Sequence, residues 1–162
     1  MEKILFPTRG GEASYINQDK AVDIALERNA ELLFLYISNI DFSLSTSSPI
    51  RIKLIQDDLE DMGEFMLAIA QERAEKRGCT ANTLLKRGVF SDILKEVIQE
   101  NNITTLMIGS SPESEGHTTS DYIEKLTKLI YLEFGIEVLV VCEGEIIKKV
   151  PETDDKPSNN CV

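Results

Sequence analysis

The chain has no long apolar segment and no leader-like start. No apolar run in its 162 residues approaches the ~20 residues that a transmembrane helix needs. The first residues, MEKILFPT, lack the basic head and long apolar core of a signal peptide. We therefore expect a cytoplasmic protein.

Positive charge is also scarce. The chain has 17 Lys and Arg residues against 28 Asp and Glu residues, which gives a formal net charge of −11. Nucleic-acid binding depends on Lys and Arg side chains that neutralise phosphates, and anionic membrane surfaces attract the same side chains. We therefore predict neither a nucleic-acid partner nor a membrane partner. The acidity alone names no other partner.

Cysteine is sparse and scattered. Cys79, Cys142 and Cys161 are odd in number and widely separated, so they show neither the close spacing of a zinc site nor an even disulfide framework. We expect reduced thiols in a reducing compartment.

The chain has a single histidine, His117, in a polar loop where a solvated side chain is the usual state. Ser114, Ser120 and Asp121 could complete a catalytic set around it on paper. No motif that would position such a set is present. We predict no catalytic residue and no metal ligand.

Short β-rich runs alternate with longer helical patterns along the chain. This alternation predicts parallel βαβ units with helices on both faces of one sheet, an α/β fold. The predicted domain covers residues 1–142, and the polar residues 143–162 are expected to form a flexible tail, although EIIKKV could add a short strand. The predicted strands are 3–7, 31–37, 80–86, 104–108 and 136–142; the predicted helices are 14–28, 52–77, 91–101 and 121–134.

Strand composition indicates the order of the sheet. Strands 1, 2 and 4 are almost uniformly apolar, as central parallel strands are, whereas strand 3 (TANTLLK) is polar enough for an edge. Strand 5 is apolar although the last strand of such a fold usually lies outermost, so either the tail or a second chain should cover it. We favour the second chain, and hence a homodimer with its interface at Val138, Leu139, Val140 and Val141.

Three stretches together resemble the universal stress protein family. KILFPTRGGEAS is similar to the family's opening K-I-L-V-P-T-D-G-S-E-x-S, and KRGVFSDILKEVIQENNITTLMIGSS to its G-x-P-x-x-x-I-x-x-x-A … A-D-L-I-V-M-G-S segment. GIEVLVV takes the place of its closing C-P-V-L-V-V. The likeness covers about residues 2–142. It implies a five-stranded parallel sheet in the order 3-2-1-4-5, flavodoxin-like or adenine nucleotide alpha hydrolase-like, that is often dimeric through strand 5.

The resemblance also locates a phosphate motif, which this chain has lost. ATP-binding members carry G-x2-G-x9-G-(S/T) after strand 4. Gly109 matches the first glycine, but the second falls on Pro112, which has no backbone N–H to donate. The third falls on Tyr122, or on Glu124 if the loop carries two extra residues. Gly116 is present but off position.

The opening motif departs from the family at Arg9. Where members have Asp after P-T, and where ATP-binding relatives use that Asp near the ribose and adenine, Arg9 can only donate hydrogen bonds. Asp121 or Ser120 is expected to cap the fourth helix, with Glu124 completing a capping box, so that acids stand where phosphate would bind. Arg9 and Lys125 are the best support for a remaining anion site.

The fold predicts where any ligand would lie. In such sheets ligands bind beyond the carboxyl ends of the strands where the strand order reverses, here between strands 1 and 4. The candidate crevice, which we regard as vestigial or repurposed, is formed by Pro7, Thr8, Arg9, Gly10, Ile37, Gly109, Ser110, Gly116 and Lys125.

Other readings of this fold are weaker. A receiver domain needs paired acids after strand 1 and an Asp after strand 3, where the chain has PTRGG and LLKRG. A flavodoxin needs T-x-T-G-x-T after strand 1, which TRGGEAS lacks, although flavin binding stays open. The acids of the second helix, such as Asp57 and Asp58, favour a solvated face over a cation site. Met62 and Met66 are expected to fill the core.

Two functions remain. The first is a dimeric, non-enzymatic stress-adaptation module that binds another protein and does not bind ATP in the usual way, without a cofactor. The second is a nucleotide-binding switch that uses a variant loop with ATP and Mg²⁺.

Overall fold

The computed structural model describes residues 1–39, 48–110 and 120–152, with the side chain of Ser120 not described. Strands and helices alternate along this part of the chain, as the sequence pattern predicts. The strands are β1 (Lys3–Pro7), β2 (Glu31–Ser38), β3 (Ala81–Arg87), β4 (Thr105–Ser110), β5 (Glu137–Cys142) and β6 (Glu145–Val150). The helices are α1 (Glu12–Glu27), α2 (Pro49–Lys76), α3 (Phe90–Glu100) and α4 (Ser120–Phe134).

The strands form one sheet in the order β3-β2-β1-β4-β5-β6. The α/β class and the order of the first five strands are confirmed, and these strands are parallel. Helices cover both faces, each over an apolar cluster of its own. One cluster packs α1 and α2 on residues such as Phe6 and Phe34, and the other packs α3 and α4 on residues such as Leu5 and Leu106.

The sixth strand corrects the predicted edge of the sheet. β6 pairs antiparallel with β5, from Val138↔Val150 to Cys142↔Glu145, and it belongs to the segment expected to be a flexible tail. The expectation of five strands with β5 outermost is therefore wrong. A tight turn at Glu143 and Gly144, both with positive φ, lets the chain reverse and cover its own apolar strand.

The predicted dimer interface is affected directly. All four of its residues are 0–2% exposed within the single chain, and the edge that a second chain was expected to occupy is filled by β6. Pairing of a second copy along β5 is thus closed off. The four residues are Val138, Leu139, Val140 and Val141.

Helix α2 is longer than predicted and packs on a different face. It has 28 residues, a length of about 42 Å, and Ser48 caps it by accepting a hydrogen bond from the backbone N–H of Arg51 at 3.3 Å. Its buried residues are Gly63, Leu67, Ala70 and Ala74. Met62, expected in the core, is 47% exposed, because the small residues of the neighbouring face let the helix lie close to the sheet.

Helix α3 also differs at its start. Its N-cap is Val89, which makes no side-chain cap hydrogen bond, so Ser91 lies inside the helix. Its buried residues are Ile93, Leu94, Val97 and Ile98.

Candidate functional site

The candidate crevice lies between β1 and β4, where the strand order reverses. β1 pairs with β2 as far as Pro7↔Leu35, and β4 pairs with β5 as far as Ser110↔Cys142. The pairing between β1 and β4, however, ends at Leu5↔Leu106. The carboxyl ends of β1 and β4 therefore separate, and this is the place at which such sheets bind ligands.

Most of the predicted site residues lie at or just beyond the carboxyl ends of the strands. Pro7, Ile37, Gly109 and Ser110 end their strands, and Thr8 and Gly10 follow β1 directly. Arg9 is exposed and makes no hydrogen bond or ion pair within the described residues. Lys125 lies in α4, also exposed and unpaired in that part of the chain. Gly116, His117 and Pro112 lie outside the described residues.

The hydroxyl group of Thr8 is engaged by the fold itself. Thr8 is buried, and its Oγ1 accepts hydrogen bonds from the backbone N–H of Gly10 at 3.1 Å and from Nε2 of Gln18 at 2.9 Å. Gln18 Nε2 also lies 3.1 Å from Oγ of Ser14, whose hydroxyl donates to the carbonyl of Gly11 at 2.8 Å. These bonds hold the loop after β1 against α1.

Gln18 was not singled out in the sequence, where it looks like an ordinary polar helix residue. It is 2% exposed, and its Oε1 has no hydrogen-bond partner among the residues that the structure describes. An unsatisfied buried acceptor costs about 1–3 kcal/mol, so this polar side chain lowers the stability of the folded state.

Asn17 joins three segments next to the crevice and was also missed. Its Oδ1 accepts a hydrogen bond from the backbone N–H of Gly144 at 2.9 Å, and its Nδ2 donates to the carbonyl of Ser110 at 3.4 Å. Asn17 thereby ties the start of α1 to the end of β4 and to the turn between β5 and β6. These partners lie 93 and 127 residues away along the chain, so no local pattern reveals them.

Helix α2 closes down on the loop after β1. A Cβ atom added to Gly10, which has φ 73°, would lie 2.4 Å from Cβ of Met66, so the helix passes over the glycine at contact distance. At Gly63 an added Cβ would lie 2.5 Å from the ring of Tyr36 in β2. The space beside the loop is therefore filled by α2 side chains.

The start of α4 carries an acid, as predicted. Asp121 lies in its first turn and is exposed. Glu124, expected to reach back in a capping box, has its Oε1 3.1 Å from Nζ of Lys128 and 3.7 Å from Nζ of Lys148 in β6. The hydrogen bond from Lys128, followed by the charge of Lys148, lowers the pKa of Glu124.

A second polar cluster lies at the amino ends of the parallel strands, the end of the sheet opposite the crevice. Arg28 donates to Oε1 of Glu2 at 2.9 Å and to Oε2 of Glu137 at 2.5 Å, and Lys149 lies 3.1 Å from Glu137. The hydroxyl of Thr105 lies within 3.2 Å of both carboxylates. Burial alone would raise the pKa of Glu137, but the hydrogen bonds from Arg28 and Lys149 lower it below the ordinary value.

The cysteines differ from the expectation of free thiols. Cys79 is a buried free thiol whose pKa is raised by burial. Cys142, at the end of β5 beside Ser110, is disulfide-bonded, so the prediction is wrong for this residue. Cys161 lies outside the described residues.

The described residues contain neither a metal-binding cluster nor a helix that could span a membrane. Within 1–39, 48–110 and 120–152, no group of three or more His, Cys, Asp or Glu side chains is arranged to hold a metal ion. In the same ranges, none of the helices combines the length and apolar character that crossing a bilayer requires.

Solved structures of similar fold include several universal stress proteins. A universal stress family protein from Burkholderia pseudomallei matches with a TM-score of 0.66 and 20% identity, over 86% of this chain and 95% of that chain. A universal stress protein in complex with cAMP matches with a TM-score of 0.61 and 20% identity, over 86% and 96%. An Arabidopsis thaliana family protein with AMP bound matches with a TM-score of 0.54 and 14% identity, over 88% and 92%.

Sequence comparison gives the same family. A universal stress protein of Methanocaldococcus jannaschii is 24% identical over 110 residues, which are 68% of this chain and 65% of that relative's length. The model of the universal stress protein family matches residues 1–118, more than half of the chain. The chain belongs to the universal stress protein family.

Proposed function

We propose that this protein acts in stress adaptation as a non-enzymatic binding or interaction module that does not bind ATP in the usual way. Membership of the family supports the link to stress. The remainder of the proposal depends on the crevice between β1 and β4.

One observation carries the proposal: the polar groups beside the crevice bind the protein itself. The hydroxyl of Thr8 is held by Gln18 and Gly10, and the amide of Asn17 spans from Ser110 to Gly144. Met66 fills the space against Gly10. Groups that a nucleotide or a catalytic step would need free are thus used to hold loops together.

Two charged residues support the same conclusion. Arg9 replaces the acid that would accept hydrogen bonds from a nucleoside, and guanidinium has no acceptor to offer. Asp121 places a carboxylate in the first turn of α4, where a negative side chain stabilises the helix and repels a polyphosphate.

A nucleotide-binding test decides between the two functions. Freshly purified protein is denatured and the supernatant is analysed for nucleotide, and the folded protein is then titrated with ATP and Mg²⁺ in a thermal-shift assay. A ligand at 100 times its dissociation constant would add about 2.7 kcal/mol to the free energy of unfolding. We expect no released nucleotide and no shift in Tm.

A nucleotide-binding switch is the second candidate, because two solved relatives carry cAMP and AMP. The unpaired cations Arg9 and Lys125 would be its phosphate ligands. A shift in Tm with ATP, AMP or cAMP that is lost in Arg9→Ala or Lys125→Ala would establish this function and refute the first. Lys76→Ala, at the far end of α2, is the control for a general loss of positive charge.

The homodimer through strand 5 is not part of the proposal. It depended on an open apolar edge, and the chain closes that edge with its own β6. A separate protein partner is the form of interaction that we propose.

A further inference from the structure

The first half of α2 has no side chain in the core. Between Pro49 and Met62 not one residue is buried, and burial begins only at Gly63. We call residues 49–62 the α2 arm. Beyond Met62 the same helix continues to Phe65 and Met66. Met66 packs on Gly10 at the crevice.

A helix of this kind needs an apolar partner. Isolated helices shorter than about 12–15 residues are marginal in water, and most helix stability in proteins comes from packing of an apolar face. The α2 arm is in this length range and packs little. One ion pair anchors it: Glu60 accepts hydrogen bonds from Nε and Nη2 of Arg87 at the end of β3, at 2.8 and 2.6 Å.

One exposed face of the helix carries four large apolar side chains, interrupted by acids, and we call these four side chains the stripe. At 100° per residue the four side chains of this stripe fall within a sector of about 120°. Their exposed fractions are high for residues of this type, and surfaces of this kind mark interaction sites. The stripe consists of Ile50 (75% exposed), Leu54 (59%), Met62 (47%) and Phe65 (64%).

Acidic side chains lie within and beside the stripe. Four exposed acids of this segment make no ion pair within the described residues, in contrast to Glu60. Two of them, Asp58 and Asp61, fall inside the apolar sector on a helical wheel. The others are Asp57 and Glu64. The two cations of the arm, Arg51 and Lys53, both lie near its start.

The negative charge beside the stripe indicates which kind of molecule would bind it. A second copy would bring a chain of net charge −11 and the same acids against these acids, which repel. A helix with an apolar face and Lys or Arg beside it would cover the stripe and pair with the free carboxylates.

We propose that the stripe, together with Asp57, Asp58, Asp61 and Glu64, docks a basic amphipathic helix of a partner protein. This inference rests on the proposed interaction role, and it does not depend on whether the crevice holds a nucleotide. The docked helix lies along the α2 arm, and its end beside Phe65 reaches the mouth of the crevice.

The test uses the full chain and a fluorescein-labelled synthetic peptide of 18 residues, made of Leu and Lys with helical spacing. Anisotropy is measured in 150 mM salt, and a Leu/Glu peptide of the same pattern is the negative control. We expect the Leu/Lys peptide alone to bind. The double variant Leu54→Ser/Phe65→Ser should bind it at least tenfold more weakly, whereas Leu132→Ser, which removes an 81% exposed leucine from α4, should change the affinity less than twofold.

The charge requirement has its own matched pair. Asp58→Asn/Asp61→Asn should weaken binding about five- to tenfold, whereas Glu75→Gln, an exposed acid on the packed half of the same helix, should change it less than twofold. Unchanged far-ultraviolet circular dichroism and an unchanged Tm show that each variant is folded.

Three results would overturn the proposal. Equal loss in the stripe variants and in their controls would mean general attraction of a cationic peptide to an acidic protein. A dimer by light scattering that Leu54→Ser/Phe65→Ser converts to monomer would make a second copy the occupant. Tighter peptide binding by Phe42→Ser would assign the stripe to residues 40–47 of the same chain. A nucleotide-dependent Tm shift with unaltered peptide binding would refute the proposed ATP-independent role and leave this inference standing.

Discussion

At the scale of single residues, two neighbouring glycines allow the cost of backbone strain to be measured apart from the cost of a steric clash. Gly10 (φ 73°) and Gly11 (φ 80°, ψ 168°) both have a positive φ, which costs a non-glycine residue about 1–3 kcal/mol. Only Gly10 is also covered: an added Cβ would lie 2.4 Å from Cβ of Met66, whereas an added Cβ at Gly11 meets nothing within 4 Å.

We therefore predict that Gly10→Ala lowers the free energy of unfolding more than Gly11→Ala does. The difference should be about 1–3 kcal/mol, since Cβ of Met66 cannot move without α2. Urea denaturation of both variants measures it. Equal effects of the two substitutions would show that α2 does not press on this loop.

Glu137 gives a prediction about pH. Its carboxylate accepts hydrogen bonds from Arg28, and its pKa is below the ordinary 4.5 in the folded protein. A lowered folded pKa contributes stability above the unfolded value, and that contribution is lost as the pH falls through the folded pKa. Glu137→Gln should cost about 1–3 kcal/mol at pH 7, and its difference from the wild type should shrink as the pH falls below about 4.5. Denaturation at pH 7 and pH 3.5 checks both; a gap that stays constant with pH would rule out the ion pair as its cause.

Individual roles were predictable only where a short motif carries them. The place of Thr8 and Arg9 after β1 follows from PTRGG. The roles of Asn17 and Gln18 could not be found, because each is defined by partners that only the folded chain brings near, and both look like ordinary helix-surface residues in the sequence.

At the scale of elements, α2 combines two helices of different character. From Gly63 onward its small residues approach the sheet closely, whereas the arm before Gly63 has no buried side chain and is held mainly by the Arg87–Glu60 pair and its cap at Ser48. A packed half and an unpacked half of one helix should differ in local stability.

We predict that backbone amides of residues 53–62 exchange hydrogen at least about tenfold faster than those of residues 67–76. Mass-spectrometric exchange of the full chain measures both peptides in one experiment. Equal protection would mean that the arm is stabilised by packing as strongly as the rest of the helix. A bound Leu/Lys peptide should slow exchange in the arm specifically.

Most elements were predictable because apolar spacing and turn residues mark them, but the buried face of α2 was not. The expectation that Met62 fills the core indicated the wrong face, since Gly63, Ala70 and Ala74 add nothing to an apolar pattern although they permit the closest approach. The strand β6 was recognised only as a possibility, because half-polar edge strands resemble tails.

At the scale of the whole molecule, β6 determines how the sheet ends. It carries Lys148 and Lys149 and is followed by Pro151, and a register shift interrupts its pairing at Val140/Val141. Lysines, prolines and bulges are the features with which edge strands resist pairing with other chains. The apolar β5 lacks all of these features, so it avoids pairing with other chains only while β6 covers it.

We predict that a chain ending at Glu143, which lacks β6, self-associates or becomes insoluble because the edge of Val138–Val141 is exposed. A chain ending at Glu152 keeps β6 and is the matched control, expected to behave like the full chain. Light scattering on the soluble fractions measures the size. A soluble monomer without β6 would show that β5 does not need the cover.

The antiparallel course of β6 also has a mechanical consequence. Because β6 returns along β5, Lys3 at the start of the sheet and Val150 at its end lie at the same edge, opposite the crevice. Tension between these two points would peel β6 away one backbone hydrogen bond at a time, whereas the parallel strands inside would have to slide past one another together. The ion-pair cluster lies at that end of the strands, so a pulling force would have to break its ion pairs first. The cluster consists of Arg28, Glu2, Glu137 and Lys149.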